Sequence, residues 1–474
     1  MPVKPEAFDA IVIGAGAGGL TVASGLAGFG RRVALIEARR VGGDCTNTGC
    51  IPSKRLIHLA RHDPAWDDSA RLFTDVRATR DRLAARERHE LLAHPRIELI
   101  EGRASFAWTR TVDVTGAHGR RTLTARHVVV AAGSRPRTIA IPGLPDERLL
   151  TNANLFDLDI APRHLAIVGA GAIGVEMASA FTRLGTRITL IDLEDRVLPQ
   201  AIPEASAAVL QALKTQGVDV LLRARVAGYE ESGRLLIVDT ERGVRRIDGV
   251  DRVLLATGRI PNVEDLDLAA AEIPVGSEGI PVDSWGRTRA RGVWAVGDVT
   301  PGSHQTHAAN ALGRRVVQRI IFPWLPLGRP PVIPSAVFSD PEVAWVSRPP
   351  REAPRRRGLA GRTRITVDLA DTDRGLTDGI HRGFVAVEAT RLTGGIVSAT
   401  VVGPGASEMI AVFALAMTRR TSLLRLARMS YAYPTFSGAI GAVADEFARR
   451  TFERPGAEIR AYVRSRLTGA GACS

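Results

Sequence analysis

A chain of 474 residues, 45% hydrophobic and 24% charged, has the length for several globular domains and the composition of an ordinary soluble protein, not of a disordered or fibrous one. No apolar run approaches the roughly 20 residues of a membrane span, and the run Ala10 to Ile13 is too short for a signal peptide, so the expectation is a cytoplasmic protein with no membrane partner. The formal charge of +13 raises nucleic acid as a partner, but the arginines are scattered, with one short cluster at Arg355-Arg356-Arg357 and no aromatic interleaving, so none is expected.

The first element is a strand, Phe8 to Ile13, running into the glycine turn Gly14-Ala15-Gly16-Ala17-Gly18-Gly19. A helix from Leu20 to Leu26 and a second strand, Arg32 to Glu37, follow. Gly14, Gly16 and Gly19 let the backbone approach a pyrophosphate at the helix N-terminus, and Glu37 stands where a carboxylate accepts from a ribose. Next comes Gly42-Gly43-Asp44-Cys45-Thr46-Asn47-Thr48-Gly49-Cys50-Ile51-Pro52-Ser53-Lys54. Its cysteines are joined in the whole chain only by Cys473, so no stapling framework exists, and the pair reads as catalytic, redox-sensing or metal-binding. Such a pair can close a small reducible ring. Lysine occurs only at Lys4, Lys54 and Lys214, which makes Lys54 conspicuous.

A polar helical stretch, 57–92, leads to short alternating strands over 97–130. These end in an apolar strand entering the turn Ala131-Ala132-Gly133-Ser134, and a linker containing Pro142, Gly143 and Pro145 follows. The pattern then repeats: strand His164 to Val168, turn Gly169-Ala170-Gly171-Ala172-Ile173-Gly174, helix Val175 to Leu184, strand Arg187 to Asp192. Asp192 lies at the same offset from Gly169 as Glu37 from Gly14, so the chain carries two dinucleotide sites. Ala256-Thr257-Gly258-Arg259 echoes the turn at Gly133. A third apolar strand ends on Gly297-Asp298, with a helix from Ala308 to Ile321 behind it. Beyond the proline-rich break 326–334, strands (335–338, 384–388, 395–402) and helices (407–418, 439–450) make an α+β arrangement suited to a separate interface domain. The glycine-rich tail 468–474 is expected to be mobile.

Two dinucleotide sites, a cysteine pair after the first, a Gly-Asp strand end and a C-terminal α+β segment together resemble the FAD-dependent class I pyridine nucleotide-disulfide oxidoreductases. These include dihydrolipoamide dehydrogenase, glutathione reductase and mercuric reductase. The resemblance implies an α/β protein with two Rossmann-like domains, for FAD (1–150 with 285–325) and for NAD (151–284), and a C-terminal dimerisation domain (331–474), hence a homodimer. It places Gly14, Gly16, Gly19, Glu37, Gly133, Asp298 and His307 at FAD, with Asp298 on the ribityl chain and the backbone at His307 near the flavin. It places Gly169, Gly171, Gly174, Asp192 and Gly258 at the nicotinamide cofactor. Cys50 would face the flavin, Cys45 would attack the substrate, and Lys54 and Glu176 would pair beside the flavin. A helix starting near Cys50 would lower its pKa. The carboxylate of Asp192, with Glu194 and Asp195 nearby, favours NADH over NADPH by repelling a 2′-phosphate.

The C-terminal segment departs from the family. Where its thiol-disulfide reductases carry His-Pro-Thr-x-x-Glu, this chain reads Tyr433-Pro434-Thr435-Phe436-Ser437-Gly438, so Tyr433 and Gly438 replace the histidine-glutamate dyad. Tyrosine, near pKa 10, is a poor base where histidine, near 6.5, exchanges a proton readily. Slow reduction of unactivated disulfides is expected, and acceptors needing no protonated leaving group remain: metal ions, quinones, oxidants or activated disulfides. Mercuric reductase also has tyrosine here and a cysteine-bearing tail, so the mercuric-reductase-like branch is favoured and Tyr433 and Cys473 are candidate soft-metal contacts. The chain lacks that enzyme's vicinal tail cysteines and its N-terminal metal-binding domain. The alternatives are an NADH:quinone or oxidant reductase, a dihydrolipoamide-dehydrogenase-like disulfide reductase, and a low-turnover FAD redox sensor.

Overall fold

The computed structural model describes residues 5–62, 69–117, 119–302, 304–326, 328–348 and 361–452. It comprises two compact units. The first holds Met1–Ala170, Ala180–Leu193 and Arg223–Pro330. Its main sheet is built on β1 (Glu6–Ile13), which pairs in parallel with β2 (Val33–Glu37) on one side and with the strand Gly119–Val130 on the other. Ile97–Glu101 extends it beyond β2, and Val293–Ala295 pairs with the C-terminal end of Gly119–Val130. The antiparallel strands Thr111–Gly116 and Arg103–Trp108 close the other edge. Strands buried on both faces need continuous apolar runs, and Ile11, Val12, Leu35, Val128 and Val129 are all fully buried.

On this sheet, α1 (Ala17–Gly28) packs against the helix Thr306–Ile321. Ala309, Gly313, Val316 and Val317 form the buried stripe of the latter at helical spacing. The approach is close because of glycine: a Cβ at Gly25 would come within 2.8 Å of Val317, and one at Gly313 within 3.2 Å of the Gly18 carbonyl oxygen. That contact fixes the start of the second helix, which bears on the site below. A second parallel sheet runs Arg187–Ile191, His164–Val168, Arg252–Leu255, Leu149–Leu150. Beside it lies an antiparallel sheet, Ala224–Glu230, Leu235–Thr240, Gly243–Ile247, that the sequence reading does not anticipate. Its last strand has only Ile247 buried, so it offers no apolar alternation to detect.

The expected polar helix over 57–92 is two helices, α3 (Cys50–His62) and α4 (Ser69–Leu92), and the first begins earlier, at Cys50 itself. Between β2 and α3 the chain makes only the five-residue α2 (Gly43–Asn47).

The second unit holds Gly171–Ser179, Glu194–Leu222 and Pro331–Ser474. Its antiparallel sheet is ordered Ser335–Val337, Val343–Ser347, Ile396–Val402, Phe384–Thr390, Arg362–Asp368. The helices Ala406–Arg419 and Gly438–Phe452 contribute the fully buried Phe413 and Phe447 to its core, and truncating either costs about 3–5 kcal/mol. Three of these strands fall where the apolar runs put them. Arg362–Asp368 escapes notice because the exposed polar residues Arg364 and Thr366 flank its one buried residue, Ile365.

Candidate active site

The first glycine turn has the geometry its spacing promises. Gly14 has φ +104°, and a Cβ there would collide with the carbonyl of Ala131; one at Gly19 would collide with the carbonyl of Gly14. Glu37, at the end of β2, accepts from the Ala15 N–H through Oε2 (2.7 Å) and from the Arg39 N–H through Oε1 (2.8 Å). Burial pushes its carboxyl above the usual range, and those backbone donors oppose the shift. Beside it opens a cavity of about 250 Å³, comparable to the room one nucleoside needs, with Arg39, Arg40, Asp81 and Arg88 on its wall. The sequence reading missed these four; Asp81 and Arg88, on α4, face Glu37 only once the chain has folded back. At the other end Asp298 accepts from Ser134 Oγ (2.7 Å), next to Gly133 with φ +69° and open space where a Cβ would stand. A glycine cradle, a nucleoside-sized cavity and a carboxylate at the far end fit an FAD.

The cysteine loop is laid on this cradle. A Cβ at Gly43, whose φ is +59°, would come within 2.7 Å of Gly16 Cα, so a glycine at this position is what allows α2 to rest on the first turn. Asn47 is buried and donates to the carbonyls of Val41 and Gly43, both at 2.9 Å. Cys50 opens α3, where unsatisfied backbone N–H groups and the helix dipole favour a thiolate, and Pro52 sits in the first turn where its missing N–H costs nothing.

Both cysteines are thiols, partly buried. The Cys45 thiol is pushed up by its hydrogen bond to Cys50, then by burial and by the Cys50 charge, while Thr306 opposes the shift. The Cys45 thiolate is thus disfavoured while Cys50 is charged. Thr306 Oγ1 lies 3.5 Å from Cys50 Sγ. Sequence reading singled out His307, which is exposed; the residue before it is the one that reaches the sulfurs. Glu87 on α4 accepts from Thr46 Oγ1 at 3.1 Å, and burial raises its pKa.

The second glycine turn reproduces the first bond for bond. Gly14 and Gly169 each donate at 2.8 Å to the residue before the acid, Ile36 and Ile191. Ala131 and Ala256 each donate at 2.7 Å to the end of the first strand, Ile13 and Val168. Asp192 accepts from the Ala170 N–H just as Glu37 accepts from Ala15. Gly169 has φ +111°, and neither Gly171 nor Gly258 has any atom within 4 Å of a would-be Cβ, which leaves both backbones open to a ligand; Gly174 is buried at the start of its helix. These features fit a second dinucleotide.

Lys54 is half-buried on α3 in the first unit. Glu176 is buried in the second, where Oε1 accepts from the Phe338 N–H at 3.0 Å. Tyr433, also in the second unit, is 80% exposed, and its hydrogen bond with Asp373 holds the phenol above its ordinary pKa. Cys473 and the tail 468–474 lie outside the described residues. Among the described residues no cluster of three or more His, Cys, Asp or Glu could hold a metal ion, and no helix is long and apolar enough to cross a membrane.

Comparison with known proteins agrees with this geometry. Residues 8–313 match the pyridine nucleotide-disulphide oxidoreductase family, and residues 333–444 match the dimerisation domain of the same family. The chain is 30% identical to a dihydrolipoyl dehydrogenase of Geobacillus stearothermophilus, over 94% of this chain and 96% of that one. It is 30% identical to a mercuric reductase of Lysinibacillus sphaericus, over 88% and 78%. Among solved structures, the Cu(II) complex of the HOCl-induced flavoprotein disulfide reductase RclA from Escherichia coli superposes with a TM-score of 0.83 at 27% identity, covering 93% of this chain and 99% of that one. With its doubled nucleotide cradle and its cysteine loop, the chain belongs to the pyridine nucleotide-disulphide oxidoreductases, flavoproteins that use FAD.

Proposed function

We propose that the protein is a homodimeric, NADH-driven reductase that delivers electrons through Cys45 and Cys50 to an acceptor needing no protonated leaving group, a thiophilic metal ion foremost. The observation that carries this reading is Tyr433. It stands where a disulfide reductase has its histidine, and the neighbouring Asp373 carboxylate holds its phenol protonated well beyond neutral pH, so it cannot take a proton from a substrate thiol. A metal ion asks for thiolate ligands and electrons, not for a proton on a departing sulfur.

Bound FAD supplies the two-electron relay between nicotinamide and the cysteine pair. The protein's own part is to hold the ribose through Glu37, keep Cys50 as the ready thiolate at the head of α3, and keep Cys45 as the second thiol. Asp192 supports NADH, because a carboxylate already accepting one N–H bond has capacity for a ribose hydroxyl and none for a phosphate. Arg196 donates to the Pro199 carbonyl at 2.6 Å, which engages a nearby cation that could have answered a 2′-phosphate.

A second reading, a dihydrolipoyl-dehydrogenase-like disulfide reductase, is favoured by the relatives of that name at similar identity. An acceptor panel decides between them. With NADH at saturation, Hg(II) and Cu(II), the latter because of the RclA complex, should turn over much faster than lipoamide. Rapid lipoamide turnover would refute the argument from Tyr433.

A further inference from the structure

We propose that Arg259 is a positioning residue that clamps the Cys45–Cys50 loop at two points, so that the sulfurs keep their places once the bond between them is opened. The proposal rests on the reading of that pair as a redox couple.

Arg259 follows Gly258 and opens the short strand Arg259–Pro261, which pairs antiparallel with Ser134–Pro136. Its side chain is only 15% exposed, and all the donor nitrogens of its guanidinium are engaged. Nη2 forms an ion pair with the carboxylate of Asp44, the residue before Cys45, and donates to the Ser134 carbonyl at 2.9 Å. Nε donates to Ser134 Oγ at 2.6 Å and lies 3.5 Å from Asp298 Oδ2. Nη1 donates to Asn152 Oδ1 at 3.3 Å. Buried Asn152 passes the tie onward, its Nδ2 donating to the Thr48 carbonyl at 3.2 Å and to Thr48 Oγ1 at 3.4 Å. One side chain thus grips the loop just before Cys45 and, through Asn152, between the two cysteines, while its back rests on the Ser134 and Asp298 corner.

The loop has need of such a grip. The α2 helix is five residues long, starts at Gly42 in the left-handed region and has no side-chain cap, and a helix that short is not stable by itself. In the oxidised protein the S–S bond closes the segment covalently. In the dithiol only non-covalent ties remain. A guanidinium suits the task because its planar fork serves several acceptors at fixed angles, which an ammonium cannot do. Since Asp44 balances the arginine's charge, the role assigned here is geometric, and charge alone should not replace it.

The test uses the full-length FAD-containing protein with Arg259→Lys and Asp44→Asn. The second variant weakens the grip before Cys45 while leaving the contacts to Ser134, Asp298 and Asn152 in place, so it decides the matter should Arg259→Lys lose FAD. After reduction with dithiothreitol, iodoacetamide labelling of Cys45 should be about tenfold faster in both variants, the scale of one charge-assisted hydrogen bond. After NADH reduction, the long-wavelength charge-transfer band should be weakened in both, with kcat falling and KM for NADH unchanged. Wild-type labelling rates and a wild-type band in both variants would overturn the proposal. The labelling arm needs no electron transfer, so loss of NADH reduction in the wild type would strike the proposed function and leave the clamp to be judged on labelling.

Discussion

At the scale of single residues, the cysteine pair carries the sharpest expectation. Cys45 is held as a thiol chiefly by its bond to Cys50, with burial and the Cys50 charge behind it. A raised pKa means a depressed thiolate fraction at neutral pH, so alkylation of Cys45 in the reduced protein should climb about tenfold per pH unit into the alkaline range. Cys50→Ser removes the sulfur that accepts the bond and the charge that repels a second one. The Cys45 pKa then falls, and its labelling at pH 7.5 should be faster than in the reduced wild type; a slower rate would contradict the hold of Cys50 on the Cys45 thiol. The same variant should lose the charge-transfer band. Sequence alone located both cysteines because their spacing is chemical information. It could not locate Thr306 or Arg259, which reach the loop from positions 256 and 215 residues away through contacts that only the folded sheet creates.

At the scale of elements, the two glycine turns match in backbone hydrogen bonding, and the sequence offset of their acids foretold that. Within a turn, however, the glycines do different jobs: a Cβ at the first, Gly14 or Gly169, would run into the carbonyl behind it, whereas one at the second, Gly16 or Gly171, would meet nothing closer than 3.8 Å. Gly14 combines φ +104° with a collision of any Cβ against the Ala131 carbonyl, so Gly14→Ala adds backbone strain to overpacking and should cost about 2 kcal/mol or more. Its urea midpoint should drop, and the protein should be isolated with little FAD. Gly171 has an ordinary φ and no atom within 4 Å of its Cβ position, so Gly171→Ala should fold with an unchanged midpoint and full FAD. Its defect should be a raised KM for NADH, because a methyl group there occupies space left open for the cofactor. Equal destabilisation by the two substitutions would show that the second turn is a structural turn only. The glycine pattern alone does not say which member of a turn is crowded, since that depends on the carbonyl that the folded sheet passes behind the first of them, Ala131 for Gly14 and Ala256 for Gly169.

At the scale of the whole molecule, the chain spends two separate nucleotide cradles and a cysteine pair on one electron path, and that division predicts the kinetic form of the reaction. A dithiol stores two electrons covalently, so the nicotinamide can leave before the acceptor arrives. Reciprocal plots against NADH at several fixed Hg(II) concentrations should therefore be parallel, and NADH should be oxidised stoichiometrically under anaerobic conditions with no acceptor present. Intersecting lines would mean that acceptor and nicotinamide must be bound together, which would take the cysteines off the path. A quinone that draws electrons without the thiols should still turn over in Cys50→Ser, whereas Hg(II) turnover should vanish there. The contrast between those two acceptors in one variant distinguishes a metal-ion reductase working through Cys45 and Cys50 from a flavoprotein whose cysteines merely report oxidation.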